Sequence, residues 1–517
     1  MRHSRTEELD TQATCESQTC PACSEADFDT PKVVWVACSH CNTWYHVACI
    51  RLKNVEDYEK WYCASCLANT HLGLAPKMRP PLRRSNREKP ATDYAAIQDG
   101  KPSDPLARWS LLLSQYDDWP ERVRRVSGAC WTTDWLANTN NALESPVLAP
   151  AHAEDRMNPG SHIPGMRMPP RHTTIRDVAR LVGPNTHVEV IDVGTQMSSR
   201  AWTLAMWADY FETPASRREK LLNVISLEIT GTPLQAMVEA PLMVRENDWV
   251  ERDWPLNRRP CHEDANKWPK VQRYVLMGVQ GAFTDFHIDF AATLVYYHVV
   301  WGHKRFLFAP PTSANLAAYR AWTSSARQES EWLGYALQNL TRVDIHTGET
   351  MLIPAGWIHA VSTLEDTLVI GGNFLTDYQV SMHWRIEEME VATHVPRKFR
   401  FPHLMRLAWY VAHGWYERLE SVVKGEDHQE DVHDHKHTSN ACAVVLTPRV
   451  IDGIQQLCKR LGAEIHKLET QAPSSKGYKA AHEAVPRDVV KDPKALLEAL
   501  RAQLEARTSM RKRRRRR

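Results

Sequence analysis

Eight thiol and imidazole side chains near the N-terminus constrain this chain most. They fall in four pairs, Cys20-x2-Cys23, Cys38-x2-Cys41, His46-x2-Cys49 and Cys63-x2-Cys66. Thiolate and imidazole suit zinc, and a closed set of four ligands per ion is structural rather than catalytic. Eight ligands are enough for two tetrahedral Zn(2+) sites. A segment this short buries little apolar surface, so metal binding must supply most of its folding free energy. Most of the 12 cysteines crowd into this stretch, largely as C-x2-C pairs. In an intracellular chain that pattern reads as metal binding rather than a disulfide framework. Cys15 stands outside the frame and is read as a bystander.

The 517 residues leave room for about two to four domains. The first residues, Met-Arg-His-Ser-Arg-Thr-Glu-Glu, have no apolar core, which argues against a secretory signal. No run of about 18 uninterrupted apolar residues occurs, so no membrane association is expected. Composition divides the chain. Residues 17–69 carry the finger, 70–108 a Pro/Arg-rich linker, 109–228 the N-terminal part of a catalytic block and 229–391 its centre. Residues 392–423 read as a helical extension, 424–446 as a His/acid-rich linker, 447–510 as C-terminal helices and 511–517 as a basic tail. Thr447-Pro448 and Asp492-Pro493 each place a capping residue before a proline suited to a first helical turn. Val450, Ile454, Leu457, Leu461, Ile465 and Leu468 recur at helical spacing and define one apolar face. The run Arg511 to Arg517 reads as a solvated tail suited to nuclear targeting or to DNA phosphate, and the Arg79 to Arg87 linker adds to the basic segments.

The second chemical signal is Thr284-Asp285-Phe286-His287-Ile288-Asp289-Phe290. Side chains alternate along a strand, so His287 and Asp289 point the same way and offer one ion an imidazole and a carboxylate. With 24 histidines, about one H-x-D is expected by chance, so the spacing alone is weak. Its surroundings strengthen it. Pro354-Ala355-Gly356-Trp357 makes a turn, and His359 opens the β-like run beyond it. A second histidine completes the 2-His-1-carboxylate set of non-haem iron(II), which leaves three positions open on the metal. Runs at Thr293 to Val300, Arg305 to Phe308 and Thr367 to Phe374 predict many short strands with tight turns, which suits a jelly-roll barrel.

Two resemblances follow. The finger's order of four cysteines, one histidine and three cysteines, with Trp44-Tyr45-His46 and Trp61-Tyr62-Cys63, resembles a PHD finger. That resemblance implies reading of the histone H3 tail methylated at lysine 4, with Trp44 and Trp35 as histone-binding cage walls. Aromatic faces attract a quaternary ammonium, and tryptophan does so most strongly. Residues from about Val188 to Phe401 resemble the JmjC family, most closely its histone demethylation protein 1 branch. The matching stretches are Val190-Ile191-Asp192-Val193, Asn223-Val224-Ile225-Ser226-Leu227-Glu228, the His287 and His359 motifs, Gly371-Gly372-Asn373-Phe374-Leu375 and Val395-Pro396-Arg397-Lys398-Phe399-Arg400.

The JmjC resemblance implies a mixed α+β fold: a double-stranded β-helix core of cupin type with flanking helices, beside the small two-zinc finger. It implies Fe(2+) held by His287, Asp289 and His359, and 2-oxoglutarate as co-substrate. Lys304 and Thr284 match the residues that take the remote carboxylate, Tyr297 and Asn223 match additional polar contacts, and Asn373 lines the pocket. The implied activity is a 2-oxoglutarate-dependent dioxygenase in the nucleus. It would demethylate mono- and dimethylated lysine 36 of histone H3, with release of formaldehyde and succinate. Alternative readings are a JmjC demethylase of another histone lysine, 9 or 27, a non-catalytic chromatin reader, or a hydroxylase of another protein. The five-residue set His287, Asp289, His359, Thr284 and Lys304 argues against the reader, which has no chemical need of it.

Overall fold

The computed structural model describes residues 20–22, 35–47, 49–50, 58–69, 71, 73–78, 105–152, 159–259, 267–325, 328, 331–424 and 446–516. The chain divides into two compact units, Met1–Asp93 and Tyr94–Arg517. No helix among the described residues is long and apolar enough to cross a membrane.

In the smaller unit Trp35–Ala37 pairs antiparallel with Trp44–His46, and Tyr58–Lys60 with Lys77–Met78. The last strand carries the finger unit beyond the boundary at residue 69, because residues read as linker close its second ladder. The buried cluster is Cys38, Tyr62, Cys63 and Cys66, with Tyr45, Trp61 and Leu74 against it. A buried cluster in which three of four members are cysteines fits a fold that depends on zinc.

In the larger unit two long strands set the architecture. Leu294–Ala309 and Ile358–Phe374 run 16 and 17 residues and pair antiparallel along their length, Leu294 with Phe374 and Ala309 with Ile358. Each belongs to two layers. The first half of Leu294–Ala309 takes Thr350–Ile353 as its other neighbour, and the second half takes Thr341–His346. Ile358–Phe374 takes Phe283–His287 beside its first half and Tyr274–Gly278 beside its second. Two layers that share both long strands enclose a lumen, which is the double-stranded β-helix anticipated. Leu222–Glu228, His187–Asp192 and Met197–Thr203 widen one layer, and Val147–Ala149 extends the other edge.

The expected short runs were wrong in one respect: no turn interrupts the chain at Trp301-Gly302-His303. Pairing continues through a bulged corner whose register shifts three times between Val299 and Lys304. Gly302 takes φ +101 there, and a Cβ on it would lie 2.3 Å from the Asp366 carbonyl oxygen. Bulges bend a strand and reset its facing parity. Val295, Tyr297 and Val299 share the lumen cluster with Phe306 and Phe308, so the inward positions pass from odd to even numbers across the corner.

The helical parts pack on a second core. Leu404–Lys424, Pro448–Thr470, Lys476–Ala484 and Pro493–Arg516 form it, with Trp409, Leu457, Leu461, Leu497 and Leu500 buried among them. The Thr447 hydroxyl accepts from the Val450 amide, and Asp492 accepts from the Lys494 and Ala495 amides, as the capping signals require. Two expectations are corrected here. A helix spans Pro105–Ser114, so the linker ends earlier than residue 108. Helical backbone continues to Arg516, through the residues read as a solvated tail.

Candidate active site and metal centres

The finger's ligands sort into two groups that interleave in sequence. Cys38, Cys41, Cys63 and Cys66 converge with all four sulfurs within 4.8 Å of one another, and Cys20, His46 and Cys49 converge within the same limit. Cys23, expected as the fourth member of the second group, lies outside the described residues. Cys20 of the first pair thus joins the third pair, and the second pair joins the fourth, so two zinc ions would brace one another's loops. Trp35 and Trp44 lie on one face of their two-stranded ladder, since Trp35 pairs with His46 and Trp44 with Ala37. Trp44 is 42% exposed, whereas the Trp35 ring packs on the His46 ring at 3.9 Å.

In the barrel, His287 and His359 face each other across a ladder, paired in register with ring centroids 4.2 Å apart. Asp289 stands just past the end of its strand, with its Oδ2 3.8 Å from His359 Nε2. Each imidazole Nδ1 sits against a carbonyl oxygen two residues back, Asp285 at 2.9 Å and Trp357 at 3.0 Å. A carbonyl can only accept, so each Nδ1 carries a proton and Nε2 is the ring atom available to ligate a metal. Burial, reinforced by His287, holds the His359 imidazole well below its ordinary value, so it is neutral. Burial pushes the Asp289 carboxyl up, while His287 and the Asn373 amide oppose the rise. Asn373 Nδ2 donates to Asp289 Oδ1 at 3.2 Å and to Thr293 Oγ1 at 2.8 Å, which orients the carboxylate. Two imidazole nitrogens and one oriented carboxylate on adjacent backbone form a donor set that fits a hard divalent metal.

Lys304 is 4% exposed, and its register partner is Thr363, whose Oγ1 accepts from Nζ at 2.6 Å. Burial alone pushes the ammonium down to about 7, with no carboxylate offsetting it. Asn223 donates from Nδ2 to Thr284 Oγ1 at 3.3 Å, while its buried Oδ1 has no partner. Gly278 faces the same point: a Cβ there would lie 2.6 Å from Lys304 Nζ, 3.0 Å from Thr363 Oγ1 and 3.2 Å from Asn223 Oδ1. A buried cation without a counter-charge, beside a position with no side chain, forms a cradle for a small anion. Tyr297 lies in the lumen cluster, T-shaped against Phe306 at 5.2 Å, and burial raises its phenol. Thr363 and Gly278 escaped the sequence reading. A threonine or glycine inside a strand carries no signal of its own, and only the register shows what each faces.

A barrel with a histidine–carboxylate cluster on one ladder, carried by a chain with a zinc-finger unit, defines a cupin-type metalloprotein with a PHD-type finger. The sequence matches the family described as Cupin-like domain over residues 243–379, PHD-finger over 20–66 and Jumonji helical domain over 378–446. It is 46% identical to the JmjC domain-containing histone demethylation protein 1 of Mycosarcoma maydis, across 92% of this chain and 81% of that one. It is 38% identical to the protein of the same name from Yarrowia lipolytica, across 73% and 72%. Lysine-specific demethylase 2A of Xenopus tropicalis is 44% identical over 48% of this chain and 22% of its own. The chain belongs to the JmjC domain-containing histone demethylation protein 1 family.

Proposed function

We propose that this chain is an Fe(II)- and 2-oxoglutarate-dependent histone lysine demethylase of the nucleus. Its substrate would be mono- and dimethylated lysine 36 of histone H3, and its finger would read the H3 tail. The observation that carries the reading is one lumen with two ends of different chemistry. His287, Asp289 and His359 offer metal donors at one end, and Lys304 is buried without a counter-charge at the other. Family membership supports the demethylase class, and the names of the relatives supply the histone.

Iron and 2-oxoglutarate, when bound, would supply with dioxygen the chemistry that hydroxylates an N-methyl carbon, with succinate and carbon dioxide as co-products and formaldehyde lost from the hydroxymethyl amine. The chain's own work is positional. His287, Asp289 and His359 would hold the metal, with their Nδ1–carbonyl bonds and the Asn373 contact fixing the donors. Lys304, Thr284 and Asn223 would take the remote carboxylate, with Tyr297 nearby. Phe306, Phe308 and Val361 line the space between with apolar surface that excludes water. Trp44 and Trp35 would form two walls of a methyl-ammonium cage in the finger. The basic segments, Arg511 to Arg517 above all, would add salt-sensitive contacts to nucleosomal DNA.

The test is incubation with iron(II), 2-oxoglutarate, ascorbate and H3 peptides methylated at lysine 4, 9, 27 or 36, followed by mass measurement. Stepwise loss of methyl mass from the lysine 36 peptide alone, abolished in His287→Ala, is the expected result. Loss from the lysine 9 or 27 peptide would move the substrate assignment. Gain of one oxygen without methyl loss would point to hydroxylation, and no turnover with retained binding of the lysine 4 peptide would leave a reader.

A further inference from the structure

Two of the three proposed iron ligands are delivered by irregular backbone. Asp289 is followed by Ala291 and Ala292, both at φ +49, a left-handed conformation that alanine disfavours. Such backbone persists only where its surroundings hold it. The side chains that hold Ala291 and Ala292 come from a single helix, Val380–Ala392. Glu390 Oε1 accepts from the Ala291 amide at 2.7 Å. His383 Nδ1 faces the carbonyls of Ala291 and Ala292 at 3.2 and 3.0 Å, and its Nε2 accepts from the Thr376 amide at 3.3 Å, which fixes the ring from both edges. At the start of the same helix Gln379 reaches the other loop. Its Oε1 accepts from the Ala355 amide at 2.8 Å, inside the turn that leads to His359, and its Nε2 donates to the Leu143 carbonyl at 3.0 Å.

The helix is fastened in turn from the C-terminal bundle. Asp377, just before it, accepts from Trp249 Nε1 at 2.9 Å and Trp415 Nε1 at 3.0 Å and pairs with Arg252. Arg460, on Pro448–Thr470, bridges Glu387 at 3.2 Å. A cluster of metal donors therefore shares one support with the helical extension.

We infer that Gln379, His383 and Glu390 are positioning residues that keep Asp289 and His359 in metal-binding register. Through them the C-terminal helical bundle sets the geometry of the metal site. The inference rests on the assignment of His287, Asp289 and His359 as iron ligands. None of the three positioning side chains touches metal or substrate, so each acts only through the loop it holds.

Mn(II) is the probe for the test, because a hard ion suits a histidine–carboxylate set and leaves thiolate-bound zinc in place. The full zinc-loaded chain is titrated with Mn(II), with the free ion followed by its paramagnetic resonance signal. Wild type is expected to bind one Mn(II) that His287→Ala removes. Failure of that control would overturn the ligand assignment itself and is read before any other variant. Glu390→Ala is then expected to weaken Mn(II) about 10- to 100-fold, the usual cost of losing an outer hydrogen bond to a ligand loop. Glu390→Gln keeps an oxygen that accepts from the Ala291 amide, and it is expected to restore near wild-type affinity. Gln379→Ala, at the other loop, is expected to weaken Mn(II) similarly and covers the case in which Glu390→Ala folds poorly. Unchanged Mn(II) affinity in the alanine variants overturns the inference, even if their melting temperatures fall. An equal loss in Glu390→Gln and Glu390→Ala also overturns it.

Discussion

Replacing Lys304 by methionine separates what this residue costs the fold from what it contributes to binding. The side chain is buried, it hydrogen-bonds only Thr363, and burial alone lowers its ammonium from the ordinary 10.5 to about 7. That fall corresponds to a cost on the order of 5 kcal/mol for keeping the charged form folded. The folded value lies below the unfolded one, so between them the unfolded chain binds more protons and stability rises with pH. The cost is fully present below about pH 7 and is relieved as pH climbs toward 10.5. Methionine has a similar length and no charge. It removes the cost but leaves the Thr363 hydroxyl without its partner, a loss of about 1–2 kcal/mol.

Lys304→Met without co-substrate should therefore be more stable at neutral pH, by roughly 3 kcal/mol, and should lose the rise of stability across the alkaline range. Its response to 2-oxoglutarate should be the reverse. A charge-assisted hydrogen bond contributes about 1.5–3 kcal/mol, so affinity should fall roughly 10- to 150-fold. Differential scanning calorimetry of the zinc-loaded chain with Mn(II), from pH 6.5 to 9.5, with and without 2-oxoglutarate, reads both effects. A variant less stable than wild type without co-substrate would refute the reasoning about burial. A variant whose melting temperature still rises with 2-oxoglutarate as in wild type would refute the role of the ammonium.

Other perturbations test neighbouring parts of the structure. Gly278→Ala places a Cβ 2.6 Å from Lys304 Nζ, the movable end of a flexible side chain. It should raise the KM for 2-oxoglutarate about tenfold, one displaced charged hydrogen bond, with little change in melting temperature. Removal of zinc by a chelator, or Cys66→Ser, should abolish binding of H3 peptide while the unfolding transition of the Tyr94–Arg517 unit stays in place, because the finger's buried cluster belongs to a separate unit. Trp44→Ala should weaken a lysine 4-trimethylated H3 peptide roughly 5- to 30-fold, the loss of about 1–2 kcal/mol of cation–π attraction, measured by fluorescence anisotropy. The same variant should leave turnover of a lysine 36 peptide unchanged.

The sequence was legible where chemistry sits in short, ordered motifs. The four ligand pairs of the finger are local, and so are His287 and Asp289 and the turn before His359. Strand alternation was a sufficient guide to His287. It was less secure for Asp289, which stands two residues past it at φ −59 and leads into a 3-10 turn. The corner near Gly302 was not legible, because a bulge is defined by a partner strand and the partner lies some 60 residues on. Strict alternation would have put Lys304, an even position, on the face opposite Tyr297. Three register shifts bring both to the lumen. Thr363 and Gly278 were invisible for the same reason, since each matters only through what the register sets against it. The helix that carries His383 and Glu390 has no motif in sequence that marks it as a support. Its role depends on the left-handed alanines after Asp289, a conformation that alanine does not announce.

The same corner explains why one lumen has two chemically different ends. His359 and Asn373 are fourteen steps apart on Ile358–Phe374, a distance of roughly 45 Å along a straight strand. Yet both reach Asp289, His359 Nε2 to its Oδ2 at 3.8 Å and Asn373 Nδ2 to its Oδ1 at 3.2 Å. The ladder must therefore double back between them, and its register breaks where Trp301 to Lys304 face Thr363 to Leu368. Its two ends meet at the proposed metal ligands, and the corner carries Lys304 and Thr363. Phe306 and Phe308 occupy the inward positions from the corner toward His359, each with its ring within 6 Å of that imidazole. One metal donor, His359, at the meeting ends, a cation at the bend and an apolar wall between them follow from folding one two-stranded ladder over on itself, and the neighbouring strand Phe283–His287 brings His287 and Asp289 to the same place. A molecule that bridges the two ends must be small, able to chelate at one end and anionic at the other. A short keto-diacid, the co-substrate proposed above, has that description.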